Sequence, residues 1–219
     1  MDRVKYKEKA KKVIEGNKWY IWKPQVFFNL ITFGIAFAIG LIIGIIVLAL
    51  NLDENTTKDI INIVASSTGS VISIFEIAFA VAYSKYCLDF VRGKQYDWKE
   101  VLKYAYKMFV PALLLSLLVG LNVTLGAILL IVPGIMAAVG LMFANYVLVD
   151  NEKLRTTEIL KKAWAITNGH KMDLFIFSLS FIGWMLLVPF TLGIISIWLV
   201  PYMTIATILV YEDLKKAVK

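Results

Sequence analysis

Glu76 is the one ionisable side chain inside a long apolar stretch of this 219-residue chain. Asn62, Ser66, Gly69, Ser73, Glu76, Ala80 and Tyr83 recur at spacings of three or four, so on a helix they share one polar or small face. An acidic residue at the centre of a membrane helix costs roughly 2.5–3.5 kcal/mol on insertion scales, so Glu76 is expected to face protein or water and to have a partner. That chemistry suits either a structural acid or the lining of an ion or solute path. A second polar group, His170 and Lys171 with Asp173 a turn on, stands where lipid headgroups would be. Lys99 and Lys103 offer further headgroup contacts. His170 is the only histidine and Cys87 the only cysteine, so neither a disulfide within the chain nor a typical metal pair can be built from them. The metal and nucleotide motifs HExxH, CxxC and the phosphate-binding P-loop are absent, as is the GxSxG nucleophile turn. No nucleophile is paired with a base, so no catalytic residue, metal or cofactor is assigned and the chain is read as a non-enzyme.

The elements that must carry these groups are membrane helices. The chain is 59% hydrophobic and only 18% charged, against roughly half apolar and a quarter charged in soluble domains. About 20 apolar residues cross a hydrocarbon core of roughly 30 Å. On that scale the apolar runs make six spans: Val26 to Leu50, Ile60 to Tyr83, Met108 to Ile131, a short fourth from the Val132-Pro133-Gly134 break to Leu148, Leu174 to Phe190, and Ile194 to Tyr211. Asn122 and Thr124 offer another place to break the third. Ala36, Gly40 and Gly44 give the first span a small-residue face that would let another helix approach closely. The Pro189 to Gly193 turn joins the last two.

The net charge of +7 does not point to nucleic acid, because the basic residues flank apolar spans. Of 23 Lys and Arg, all but Lys58 fall on segments 1–23, 84–107, 150–173 and 212–219. The positive-inside rule then places both termini in the cytoplasm, with the basic segments against anionic headgroups. The first apolar run is too long for a cleaved signal, so it is expected to stay in the mature protein. Three of the basic segments read as amphipathic helices. Val4, Ala10, Val13 and Ile14 mark the first, with Trp19, Tyr20 and Trp22 as an aromatic belt after it. Asp97 caps the second, whose apolar face is Trp98, Val101, Leu102 and Ala105. Thr156 or Thr157 caps the third, whose face is Ile159, Ala163 and Ile166 and whose end is Asn168-Gly169.

The fold class is therefore all-α: one polytopic domain, residues 1–219, with six transmembrane helices as three hairpins, each preceded by a basic cytoplasmic-surface helix. The segments read as repeats over 1–83, 97–149 and 156–212. Leu102-Lys-Tyr-Ala105 aligns with Leu160-Lys-Lys-Ala163, and the prolines Pro133 and Pro189 align at nearly the same offset. Ala10-x-x-Val13-x-x-Gly16-Asn-Lys18 aligns with Ala163-x-x-Ile166-x-x-Gly169-His-Lys171.

The C-terminal half resembles a known family. The Ile131-Val-Pro-Gly-Ile135 turn, the Val149-Asp150-Asn151 step, Asn168-Gly-His-Lys171, Leu179-Ser-Phe-Ile-Gly-Trp184, Thr191-Leu-Gly-Ile194 and Trp198-Leu-Val-Pro-Tyr202 come in order. Together they are similar to the bacterial integral-membrane family catalogued as domain of unknown function 975. The similarity is dense over about 130–214 and thin over the first three spans. One position departs: the family's Gly-Ile-Gly is Gly193-Ile-Ile195 here. The resemblance implies a six-span protein of the bacterial cytoplasmic membrane and carries no established chemistry. Its functional reading is a non-enzymatic scaffold, chaperone-like, regulatory or protective factor, acting on a membrane-protein partner or as a homo-oligomer. A small transporter or channel using the Glu76 face is the alternative, and a lipid-handling protein a second one.

Overall fold

The computed structural model describes residues 2–191 and 193–217. Eleven helices and no strand are found among them: α1 Arg3–Glu15, α2 Lys18–Leu50, α3 Glu54–Val91, α4 Lys99–Lys107, α5 Phe109–Leu129, α6 Ile131–Gly140, α7 Ala144–Asp150, α8 Thr156–Thr167, α9 Lys171–Leu179, α10 Ile182–Phe190 and α11 Ser196–Ala217. Six helical stretches are long and apolar enough to cross a membrane: α2, α3, α5, α6 with α7, α9 with α10, and α11. The accessible surface is 13033 Å², against about 10,100 Å² for a compact soluble monomer of this mass. The excess is apolar. Phe33, Leu48, Ile128 and Phe190 are all at least 70% exposed, an arrangement that is stable only where lipid replaces water.

The spans begin and end elsewhere than the hydropathy pattern places them. Trp19, Tyr20 and Trp22 form the first turns of α2, which runs unbroken through Pro24. The turn after span three falls at Leu130, whose extended backbone (φ −166°, ψ 154°) separates α5 from α6. Pro133 is then the third residue of α6, a position whose N–H has no partner in a helix, so it breaks nothing. Asn122 and Thr124 leave α5 intact, because the Asn122 amide donates to the Leu118 carbonyl of its own helix at 2.7 Å. Span four is broken at residues 141–143 but reaches Asp150, and span five is broken at Ser180 and Phe181. Of the Pro189 to Gly193 turn, Leu192 lies outside the described residues. Neither Thr156 nor Thr157 caps α8. The Glu158 carboxylate reaches back to the Arg155 N–H at 3.0 Å instead, which satisfies a donor that would otherwise be orphaned at the helix start. Asp97 does cap, accepting the Lys99 N–H at 3.2 Å. Asn168 ends α8, and Gly169 takes φ +79°.

Packing follows a cyclic order. The short helices α4 and α8 lie against α3 and α7, and α1 lies against α11. In the same way α5 packs on α3, α9 on α6, and α2 on α11. The core gathers where these helices meet. It holds Ala10, Ile21, Ala78, Phe79, Val81, Tyr83, Tyr86 to Leu88, Phe143, Tyr146 to Val149, Ile159, Ala163, Phe177, Ile205, Ala206, Ile208, Val210 and Tyr211. Outside it the chain is thin. From Gln25 to Ile77 no residue is buried, so most of α2 and the first half of α3 project as a two-helix arm. The small face of α2 does not receive a close-packed helix. A side chain added at Gly40, Gly44 or Gly69 would meet nothing within 4 Å, and an open cleft of about 480 Å³ separates the two helices there. Close packing of glycines occurs in α5 and α6, where a Cβ on Gly134 would stand 2.9 Å from the Ala127 backbone.

Candidate functional site

The ends of α3, α7 and α11 are tied by one carboxylate. Asp150, the last residue of α7, accepts two bonds from the Arg92 guanidinium, at 2.7 and 3.0 Å. It also accepts from the Tyr211 hydroxyl at 2.7 Å and from the Lys215 ammonium. Arg92 reaches on to Glu212. The fork of Arg92 suits a carboxylate held side-on, and such charge-assisted pairs are about twice as strong as neutral ones. Asp150 beside it holds the guanidinium pKa above its ordinary value, with Glu212 adding to the effect. Two acids and two bases cancel, so the node locks three helix ends without leaving a free charge. Around it lie three smaller ties. The Glu152 carboxylate accepts from Lys107 at 2.6 Å and from the Tyr104 hydroxyl at 2.8 Å, joining α4 to the segment after α7. Lys107 chiefly holds the Glu152 carboxyl below its usual range. On α1, the Tyr6 hydroxyl donates to Asp213 at 2.8 Å. The Lys7 ammonium donates to the Ser180 carbonyl at 3.0 Å and sits 4.3 Å over the Phe181 ring. Burial lowers the Lys7 pKa, helped by Arg3 and Lys11. Lys7 thus covers a carbonyl at the break in span five.

Next to this lies a layer of tyrosines that compensates for Pro24. A helix bond from residue 24 would go to the Tyr20 carbonyl, but proline has no N–H to make it. The Tyr86 hydroxyl donates to that carbonyl at 3.0 Å, and Tyr83 donates to the Ile21 carbonyl at 3.0 Å. The Tyr20 hydroxyl in turn accepts the Tyr96 N–H at 2.9 Å and donates to the Tyr96 carbonyl at 3.0 Å. Tyr20 and Tyr86 stack at 4.8 Å. The start of α2 is thereby fixed to the end of α3 and to the loop before α4.

The polar stripe of α3 is not brought into the protein. Asn62, Ser66, Ser73 and Glu76 are exposed on the arm, and of the five residues only Tyr83 is buried. Glu76 is expected to face protein or water; it is exposed, and this chain gives it no ion-pair partner among the described residues. The reason is position along the helix. Before Ala78 no residue of α3 is buried on any face, whereas from Val81 to Asp89 the helix is enclosed on most sides, so residues of one face are exposed at Asn62 and buried at Tyr83. Ser66 and Ser73 satisfy their hydroxyls on the Ile63 and Gly69 carbonyls, at 3.0 and 2.9 Å, so their exposure to lipid costs little. Asn62 and Glu76 have no such outlet shown. The headgroup candidates lie on two elements. Lys99 and Lys103 are exposed on α4, and Lys103 is paired with Glu100 at 2.7 Å. His170 is half-buried at the start of α9, and the Lys171 ammonium sits 3.2 Å over the Trp164 ring.

The Arg92–Asp150–Glu212 node escapes a reading of the sequence, because its members lie far apart in the chain. Its only local signal is an acid at the end of two otherwise basic-flanked spans. Chemically the site can hold helices together. Among the described residues no three His, Cys, Asp or Glu side chains are placed to hold a metal ion. The family resemblance holds over residues 127–218, which match the model of the family described as Protein of unknown function (DUF975). No curated protein and no solved structure matches the chain.

Proposed function

We propose that this is a non-enzymatic protein of the bacterial cytoplasmic membrane. Its working surface is the α2–α3 arm, which docks another membrane-embedded chain. One observation carries this reading: Asn62 and Glu76 are exposed on an arm in which no residue from Gln25 to Ile77 is buried. At roughly 2.5–3.5 kcal/mol for an acid among lipid tails, an outward Glu76 favours a covering partner. The cleft between α2 and α3 adds a surface of small side chains that a partner helix can approach closely. Glu76 is not on the wall of that cleft, so no observation favours the transport reading. Three repeat units account for the cyclic packing, since each surface helix meets the last span of the unit before it, and α1 closes the ring on α11. The Tyr6–Asp213 bond keeps the two terminal helices at one end, and the positive-inside rule makes that end cytoplasmic.

Ser73→Cys in a Cys87→Ala background tests the arm. Cells carrying it are treated with a bifunctional thiol–amine reagent, and Ile128→Cys, exposed on α5, serves as the control. A discrete higher-mass adduct is expected from Ser73→Cys alone and is expected to disappear with Glu76→Gln. An adduct of doubled mass identifies a second copy; any other discrete mass identifies a different chain. Identical patterns from the two cysteine positions would refute the arm as an interface.

A further inference from the structure

We infer that α8, α6 and the start of α9 form a binding site for the phosphate headgroup of one anionic phospholipid. Trp164 is its fixed centre. Its ring lies so close to α6 that a Cβ on Gly140 would stand 2.4 Å from it. The Thr167 hydroxyl, donating to the Gly140 carbonyl at 3.0 Å, pins α8 in that position. The Lys171 ammonium sits 3.2 Å over the same ring. One turn before Trp164, Lys161 is exposed and makes no ion pair among the described residues. Beside the ring a crevice of about 350 Å³ is walled by Ala137, Leu141, Leu160, Lys161 and Trp164, with Asn122 at one side. The nearest carboxylate on α8 does not compete for these lysines, because Glu158 is bonded to the Arg155 N–H.

The chemistry is that of an amphipathic ligand with an anionic end. The Lys161 ammonium on the crevice wall attracts a phosphate, and the Lys171 ammonium held over the indole adds positive charge nearby. An indole at 39% exposure is the usual anchor at headgroup depth, and the Ala137, Leu141 and Leu160 wall accepts the acyl chain. Basic pockets between membrane helices are a recurrent way of holding lipid headgroups. The inference rests on the reading that the basic end of the molecule faces anionic lipid, and the experiment separates the two.

The full chain, purified in detergent, is titrated with phosphatidylglycerol, with phosphatidylcholine of the same acyl chains, and with inorganic phosphate. Occupancy is read by native mass spectrometry. One phosphatidylglycerol is expected to be retained in preference to the other two. Lys161→Gln should weaken it about fivefold and Lys161→Gln with Lys171→Gln about twenty-five-fold, one lysine's worth of surface attraction each. Lys153→Gln, exposed and outside the crevice, should bind as wild type. Unchanged binding by Lys161→Gln overturns the site while leaving the general attraction standing. No preference for phosphatidylglycerol over phosphatidylcholine in the wild type overturns the leaflet reading as well. Inorganic phosphate held as tightly as the lipid overturns the lipid as ligand. Lys171 braces Trp164, so the melting of the double variant is followed in parallel. If that variant does not fold, Lys161→Gln at its exposed position decides the matter alone.

Discussion

Tyr86→Phe isolates the bond that allows a proline inside α2. The substitution keeps the ring and its stacking on Tyr20 at 4.8 Å, and it deletes the hydroxyl that donates to the Tyr20 carbonyl. Tyr86 is 1% exposed, so water does not replace the lost donor. The carbonyl is left unpaired in an apolar setting, at a cost of about 1–3 kcal/mol. Pro24→Ala changes that outcome, because alanine supplies the N–H that the helix bond requires. In the Pro24→Ala background, Tyr86→Phe should cost about 1 kcal/mol less than in the wild type. The four proteins form a double-mutant cycle, read by reversible denaturant unfolding in mixed micelles. A loss below about 0.5 kcal/mol for Tyr86→Phe alone, or the same loss in both backgrounds, would refute the compensation argument.

Gly140→Ala places a methyl group 2.4 Å from the Trp164 ring and should cost about 1–3 kcal/mol by overpacking; unfolding followed by tryptophan fluorescence checks it, and Trp164→Ala should relieve it. Arg92→Gln removes the fork that joins Asp150 to Glu212 and should cost about 1.5–3 kcal/mol, read as lowered thermal stability in detergent. The Tyr6 hydroxyl is raised to about 12, first by burial and then by its bond to Asp213. Its folded pKa lies above the ordinary value of about 10, so its contribution is whole below pH 10 and is lost as pH rises toward 12. Proteolysis of α1 should accelerate across that window, and Tyr6→Phe should abolish the pH dependence. Glu152 has the opposite sign. Its folded pKa is depressed by Lys107, so its contribution is present above the ordinary carboxylate range and fades as pH falls through and below it. Glu152→Gln should flatten that acid limb of a melting-temperature profile.

Much of this protein is written locally. Length and apolarity alone mark the six membrane-crossing stretches, because crossing hydrocarbon needs a run of residues and little else. The amphipathic face of α8 is equally legible, since Ile159, Ala163 and Ile166 fall at helical spacing and are buried; of the α4 face Trp98, Val101, Leu102 and Ala105, only Val101 is buried and Leu102 is exposed. Asn168-Gly169 ends α8 because a left-handed residue follows. Other features depend on partners distant in the chain. Pro24 looks like a helix breaker until Tyr86, from another helix, supplies its missing bond. Asp150 looks like the end of a span until Arg92, Tyr211 and Lys215 converge on it. Whether the Glu76 stripe faces inward or outward depends on which side of α3 its neighbours occupy, and helical periodicity says only that the residues share a side. The sequence by itself determined that the chain crosses a membrane and where it turns polar. Only the tertiary structure decided which polar groups are satisfied within the chain and that Glu76 is exposed, with no ion-pair partner among the described residues.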